Sequence, residues 1–191
     1  MKLLKVSSPA VRRILANPAF LKRIAQPVKI VTKFDVPYLA GYSKNGKTIY
    51  VDKDVKTKWR YRGKIIDVSD FLVAHEVVEK AIIVIFKEHY QRAHHIAEYV
   101  EALACRQHGV NWWAYSKYLK PQIKNAYHQK IQFLPPDLDL EPYEDEHEQQ
   151  ILIQLQKSRG RNKNEIIKET LTNPSDKFNV AFQKDNIVWH H

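Results

Sequence analysis

An apolar run of helix length, broken by one histidine and two carboxylates, constrains this chain more than any other feature. It begins Phe71-Leu72-Val73-Ala74, passes through His75-Glu76-Val77-Val78-Glu79-Lys80 and ends Ala81-Ile82-Ile83-Val84-Ile85-Phe86. A helix brings residues four apart onto one face, so His75 and Glu79 point the same way with Glu76 beside them. Asp67-Val68-Ser69-Asp70 supplies an N-cap with an acid three residues on, which predicts a helix over about 68 to 87. Ionisable groups on so apolar a helix mark either its solvent edge or a site.

A second polar stripe follows at once. His94, Ala97, Glu98, Glu101, Cys105 and His108 all fall on one face of a helix over about 90 to 108, stopped by Gly109. Alanines at 93, 97 and 104 let this helix approach its neighbour closely, and a short turn at 87 to 89 returns it antiparallel to the first. The stripes then meet, carrying His75 and Glu79 toward His94 and Glu98 or Glu101. Neutral imidazole with carboxylate suits zinc, manganese or iron, and fixed helices hold such ligands in geometry. The expected ligands are His75, Glu79, His94 and Glu101, and Glu76, aimed to the side, is the expected general base. His95 falls off the stripe, His108 suits the helix dipole, and Cys105 is expected to be a half-buried filler.

The rest of the chain organises around this pair. Ser8-Pro9 and Asn17-Pro18 each read as an N-cap followed by proline at the first helical position, giving two short helices before Pro27. Strands are expected at 28 to 34, 38 to 42 and 48 to 52, the last two joined by the Asn45-Gly46 hairpin signal. Residues 53 to 64 show no clear element. Helices are expected at 111 to 120 and again from Pro121 to about 130, where core packing accounts for most of the aromatic run Trp112 to Leu119. Pro135-Pro136 is expected to close the core. The predicted fold class is α+β, a small antiparallel sheet packed on a mainly helical body. A domain over 1 to 134 would be followed, over 135 to 191, by an acidic strip, a helix at 149 to 157 and a basic tail.

The segment resembles the zincin metalloproteases, whose site helix reads His-Glu-x-x-His with a third ligand from a following helix. The resemblance implies a zincin-like fold, zinc, a peptide or protein substrate, and an edge strand beside the site, the part taken here by 48 to 52. This chain departs from the pattern at Glu79, which stands where the second histidine would be, and His94 is the compensating histidine. An added carboxylate hardens the site, so manganese or iron competes with zinc. The chain is also similar to little-characterised phage and bacterial proteins that pair His-Glu-x-x-Glu with a downstream Ala-His-x-x-Ala-x-x-x-Glu, here Ala93-His94-His95-Ile96-Ala97-Glu98-Tyr99-Val100-Glu101. That likeness covers roughly 38 to 109 and favours His94 and Glu101 over His95 and Glu98.

Charge raises the main rival. The chain has 191 residues and a net charge of +10. Seven of its 21 acids lie between Asp137 and Glu148 with no Lys or Arg among them, leaving 14 acids against 31 basic residues elsewhere. Lys53, Lys56, Lys58, Arg60, Arg62 and Lys64 surround Trp59 and Tyr61, and Lys58, Trp59, Arg60 and Arg62 are the candidate nucleic-acid contacts. A metal-free interaction protein is a third class, with the acidic strip as a docking peptide or as a cover for a basic cleft. The lone Cys105 and the lack of a signal-like or membrane-length apolar run predict a soluble cytoplasmic protein with no membrane partner.

Overall fold

The computed structural model describes residues 9 to 129, 131 to 145 and 151 to 153. Apart from residues 151 to 153, which are helical, the helix expected over 149 to 157 and the basic tail lie outside the described residues.

Two short helices open the chain, α1 (Pro9–Leu15) and α2 (Pro18–Ile24). Asn17 separates them by accepting hydrogen bonds from the Ala19 and Phe20 amides at 2.9 and 3.1 Å, the N-cap geometry its sequence context predicts. Next come β1 (Lys29–Val31), β2 (Ala40–Tyr42) and β3 (Thr48–Val51), in the sheet order β1-β3-β2. Between β2 and β3, Gly46 sits at φ 65°, and Asn45 Oδ1 accepts from the Lys47 amide at 2.9 Å. Strand β1 joins β3 in parallel, Ile30 opposite Ile49, so the sheet is mixed where an antiparallel one was expected. The long connection through 32 to 39 and the β2–β3 hairpin allow that crossing, whereas a tight turn from β1 would have forced antiparallel pairing. The pairing also makes β3 the central strand and β2 an edge strand, and α3 packs against both.

A second hairpin, β4 (Lys58–Tyr61) with β5 (Lys64–Asp67), occupies the stretch for which no element was expected. Its turn uses Arg62 at φ 48° and Gly63 at φ 80°. The hairpin feeds α3 (Ser69–Phe86), at whose start Asp67 accepts from the Ser69 amide and hydroxyl at 3.2 and 2.6 Å. Lys87 closes α3 in the left-handed conformation, and His89 caps α4 (Tyr90–Gln107). These two helices make the most extensive pairing in the fold. Helix α5 (Trp112–His128) runs through Pro121 as one helix rather than stopping there. The short α6 (Glu141–Asp145) follows. Among the described residues no helix is long and apolar enough to cross a membrane.

The architecture is therefore α+β with the helical pair at its centre. Val73, Val78, Ala81 and Ile82 of α3 pack with Ala93, Ile96 and Ala97 of α4 and with Phe20 and Ile49. Phe71 and Leu72 face the other way, toward Cys105, Tyr115 and Leu119. Burial does not stop at Pro135-Pro136: Leu134, Leu138, Leu140, Tyr143 and Ile151 pack against Phe34, Val36 and Tyr50. The folded body thus extends past the expected boundary at 134, and the described part of the acidic strip belongs to it.

Candidate metal centre

The packing of α3 against α4 brings His75, Glu79 and His94 together. His75 Nε2 lies 3.0 Å from His94 Nδ1 and 3.4 Å from Glu79 Oε2, while His94 Nδ1 and Glu79 Oε2 are 3.0 Å apart. Three donors from two helices thus converge on one point. Tetrahedral zinc with ligands at about 2.0–2.1 Å sets its donors roughly 3.3–3.4 Å apart, so the triangle fits such an ion with little movement. His75 and Glu79 are buried; His94 stands half exposed at the open side.

Glu101, expected as a ligand, is placed differently. Its Oε2 meets His75 Nδ1 at 2.9 Å, on the side of the ring away from the other donors, and its Oε1 accepts the Tyr115 hydroxyl at 2.6 Å. A carboxylate on Nδ1 favours a proton there, so in the neutral ring, the form that ligates a metal, the Nε2 lone pair faces Glu79 and His94. Glu101 thus orients a ligand rather than joining the ligand set. The reason is position: it stands seven residues, two turns, beyond His94, and reaches the back of His75 instead of its front.

Electrostatics follow from burial and these contacts. Burial acts to lower the His75 pKa, but the adjacent Glu101 and Glu79 carboxylates outweigh it and hold the ring well above its ordinary value. Burial acts to raise Glu79, and hydrogen bonds from His75 and His94 pull it below the usual range instead. Among the described residues Glu76 has no such hydrogen-bond partner. Burial first, then repulsion from Glu79, pushes its carboxyl up to about 8, against the opposing pull of His75.

These groups sit in a cleft of about 770 Å³ whose walls come from β2, α3, α4, α5 and α6. Glu76 and Glu98 line it too, though neither makes a hydrogen bond to the three donors. The strand beside the site is β2, with Ala40, Gly41 and Tyr42 in the wall, and not 48 to 52, which β2 shields as β3. Four tyrosines that were not expected at the site surround the carboxylates. The Tyr90 hydroxyl reaches His94 Nδ1 at 3.4 Å, and Tyr115 holds Glu101. Tyr42 is buried, its hydroxyl lying toward Glu79 without reaching hydrogen-bond geometry. Tyr143 closes the wall from α6. Burial, reinforced by the nearby carboxylates, drives all four phenols up, so they stay neutral donors. Only Tyr90 carried a usable sequence signal, standing one turn before His94.

The other expected residues are accounted for. His95 is exposed and bonds the Gln91 carbonyl at 2.5 Å; His108 donates to the Ala104 carbonyl at 2.9 Å, as suits the end of a helix. Cys105 is fully buried, more so than expected. In the β4–β5 hairpin Lys58 pairs with Asp67, Trp59 stacks on Tyr118 with centroids 4.8 Å apart, and the Arg62 guanidinium lies over the Tyr61 ring. Arg60 remains exposed there, but the aromatics meant to stack on bases are packed on α5.

Searches of protein families, of curated proteins and of solved structures find no match for this chain.

Proposed function

We propose that this protein is a metal-dependent hydrolase of zincin type that cleaves a peptide bond. The convergence of His75 Nε2, His94 Nδ1 and Glu79 Oε2 at the floor of a cleft carries the reading. Two imidazoles and one carboxylate suit zinc, with manganese and iron the alternatives. Held there, such an ion supplies Lewis acidity, making water a usable nucleophile near neutral pH and polarising a carbonyl.

The chain's own groups do the rest. Glu101 and Tyr115 keep the His75 ring in one tautomer and one orientation. Glu76, in the same cleft, takes a proton from the attacking water as a carboxylate and returns it to the leaving amine. The neutral phenol of Tyr90 offers a donor to charge that develops on the substrate. The apolar walls, among them Leu72, Trp112 and Leu119, keep bulk water from competing.

A second reading rests on one observation. The cluster already satisfies itself by hydrogen bonds, His75 to Glu101 and His94 to Glu79, as a metal-free structural network would. Elemental mass spectrometry of the purified full-length chain, beside His75→Ala, decides between them. Zinc, manganese or iron in proportion to protein, lost in the variant, is the expected result. No metal, and none taken up on dialysis against each ion, would sink the hydrolase reading and leave the structural network.

A further inference from the structure

Along α5, Trp113, Lys117, Lys120, Lys124 and Tyr127 recur every three or four residues and share one face of the helix. The stripe is roughly 21 Å long at a rise of 1.5 Å per residue. All five residues are exposed, Trp113 by 59% and Tyr127 by 42%. No acid occurs anywhere in α5, so nothing on the helix neutralises the three lysines. Trp112, next to Trp113, turns inward and packs with Tyr115, so core packing explains one tryptophan and not the other. Tyr127 packs beside Tyr38 and edge-on to His128, contacts that hold its ring in place while part of it stays exposed. On its flank the stripe adjoins the cleft, where Lys120 forms part of the lining.

A row of cations bracketed by an exposed indole and a partly exposed phenol is a specific combination. Lysines alone would suit any polyanion. An exposed indole and phenol add a stacking surface, and only unpaired bases present their faces to it; in a duplex those faces are already stacked. We propose that this face of α5 is a track for single-stranded nucleic acid, with Lys117, Lys120 and Lys124 on successive phosphates and Trp113 and Tyr127 stacked on bases at either end. An acidic peptide would use the lysines but leave both rings in water. The β4–β5 hairpin is the poorer candidate, because Trp59 is committed to Tyr118 and Lys58 to Asp67. The proposal stands independently of the metal reading, since it uses no residue of the His75 cluster.

Fluorescence anisotropy with labelled oligothymidylate, read over a salt series on the full-length protein, tests it. Replacing Lys117, Lys120 and Lys124 together with glutamine should weaken binding more than tenfold and lower the slope of log affinity against log salt by about 2, near 0.7 for each phosphate no longer neutralised. Trp113→Ala should weaken binding roughly 5- to 150-fold and leave the slope unchanged. Arg60→Gln with Arg62→Gln should change little. All of these side chains are exposed, and unchanged melting temperatures would show that the fold is kept. Absence of binding at low salt would overturn the proposal, as would binding that the hairpin pair abolishes and the α5 variants do not. Equal competition by a polyglutamate peptide or by duplex DNA would also overturn it, pointing to a generic polyanion surface or an acidic protein partner.

Discussion

His75 and Glu76 are neighbours in sequence, yet the proposed chemistry asks different things of them. His75 supplies a lone pair to the cluster, so His75→Ala should abolish metal binding and activity together. Glu76 supplies only a proton acceptor, so Glu76→Gln should retain metal while turnover of a peptide substrate falls roughly a hundredfold to ten-thousandfold. Metal analysis run beside a hydrolysis assay separates the two, and equal metal loss in both variants would contradict these roles. Glu101 and Tyr115 make a subtler case. Glu101→Gln still accepts a proton from His75 but without charge, and Tyr115→Phe leaves Glu101 in place with one hydrogen bond fewer. Each should weaken metal affinity about 10- to 100-fold in chelator competition, the usual effect of removing a partner behind a ligating histidine. Helical spacing alone makes His75, Glu79 and His94 legible in the sequence. The backing role of Glu101 and Tyr115 is not legible there, because it depends on which side of a ring each group reaches, and that is decided by how two helices and α5 pack.

At the scale of elements, local signals carry the helices and fail where tertiary contacts decide. Asn17, the apolar run of α3 and the stripe of α4 each announce an element from a short window. The β4–β5 hairpin does not, since its alternating Lys-Trp-Arg-Tyr pattern reads as a solvated basic loop until Tyr118 is there to receive Trp59. Pro121 signals a break on local grounds, yet α5 continues through it, buried on its inner face by Tyr115, Leu119 and Ala126. A loss of about 3 kcal/mol at a helix-interior proline is of the size that packing can offset. Between β1 and β2 the decisive residue is Asp35. It is buried, pairs with Lys53 at 2.7 Å and accepts from the Gln132 and Phe133 amides at 2.8 and 2.6 Å. Burial alone would raise its pKa, but Lys53 and the two amides together hold it below the ordinary carboxylate value. A carboxyl lowered on folding stabilises the native state fully above its unfolded pKa, and that contribution fades as pH falls through the folded value. Melting temperature should therefore drop on acidification into and below the ordinary carboxylate range. Asp35→Asn should lose about 1.5–3 kcal/mol near neutrality, as expected for hydrogen bonds to a charge, and should show a shallower acid dependence. Identical acid profiles for the two proteins would show that Asp35 does not tie the segment after α5 to the sheet.

For the whole molecule, the segment after Pro135-Pro136 is what sequence pattern misjudges most. Pro135-Pro136 reads as the end of the core and the acids beyond it as a docking peptide or a cover. Two of those acids, Asp137 and Asp139, instead fasten the segment to the body. Asp137 receives the Tyr50 hydroxyl, the Asp139 amide donates to the Tyr42 carbonyl at 2.9 Å, and Asp139 takes the buried Lys80 ammonium at 2.5 Å. Lys80 follows Glu79 on α3, so the segment is bonded to the very turn that holds the cluster. Between those acids, Leu138, Leu140 and Tyr143 fill the third core against Phe34, Val36 and Tyr50, and Ile151 joins them. A chain ending at 134 would be without those four apolar side chains. At about 1.5–3 kcal/mol for each that comes to roughly 6–12 kcal/mol, an upper figure because an unfolded chain already buries some surface. The total stability of an ordinary domain is only about 5–15 kcal/mol. Truncation would also strand Lys80, a buried ammonium with its partner gone, which adds about 3–5 kcal/mol of loss. The truncated chain should therefore show no cooperative thermal transition, whereas the full-length protein should melt cooperatively. Lys80→Met in the truncated chain should not rescue it, because the missing apolar packing outweighs the stranded charge. A cooperative melt of the 134-residue form would instead mean that the helical pair and sheet fold alone, and that the segment beyond serves only to wall the cleft.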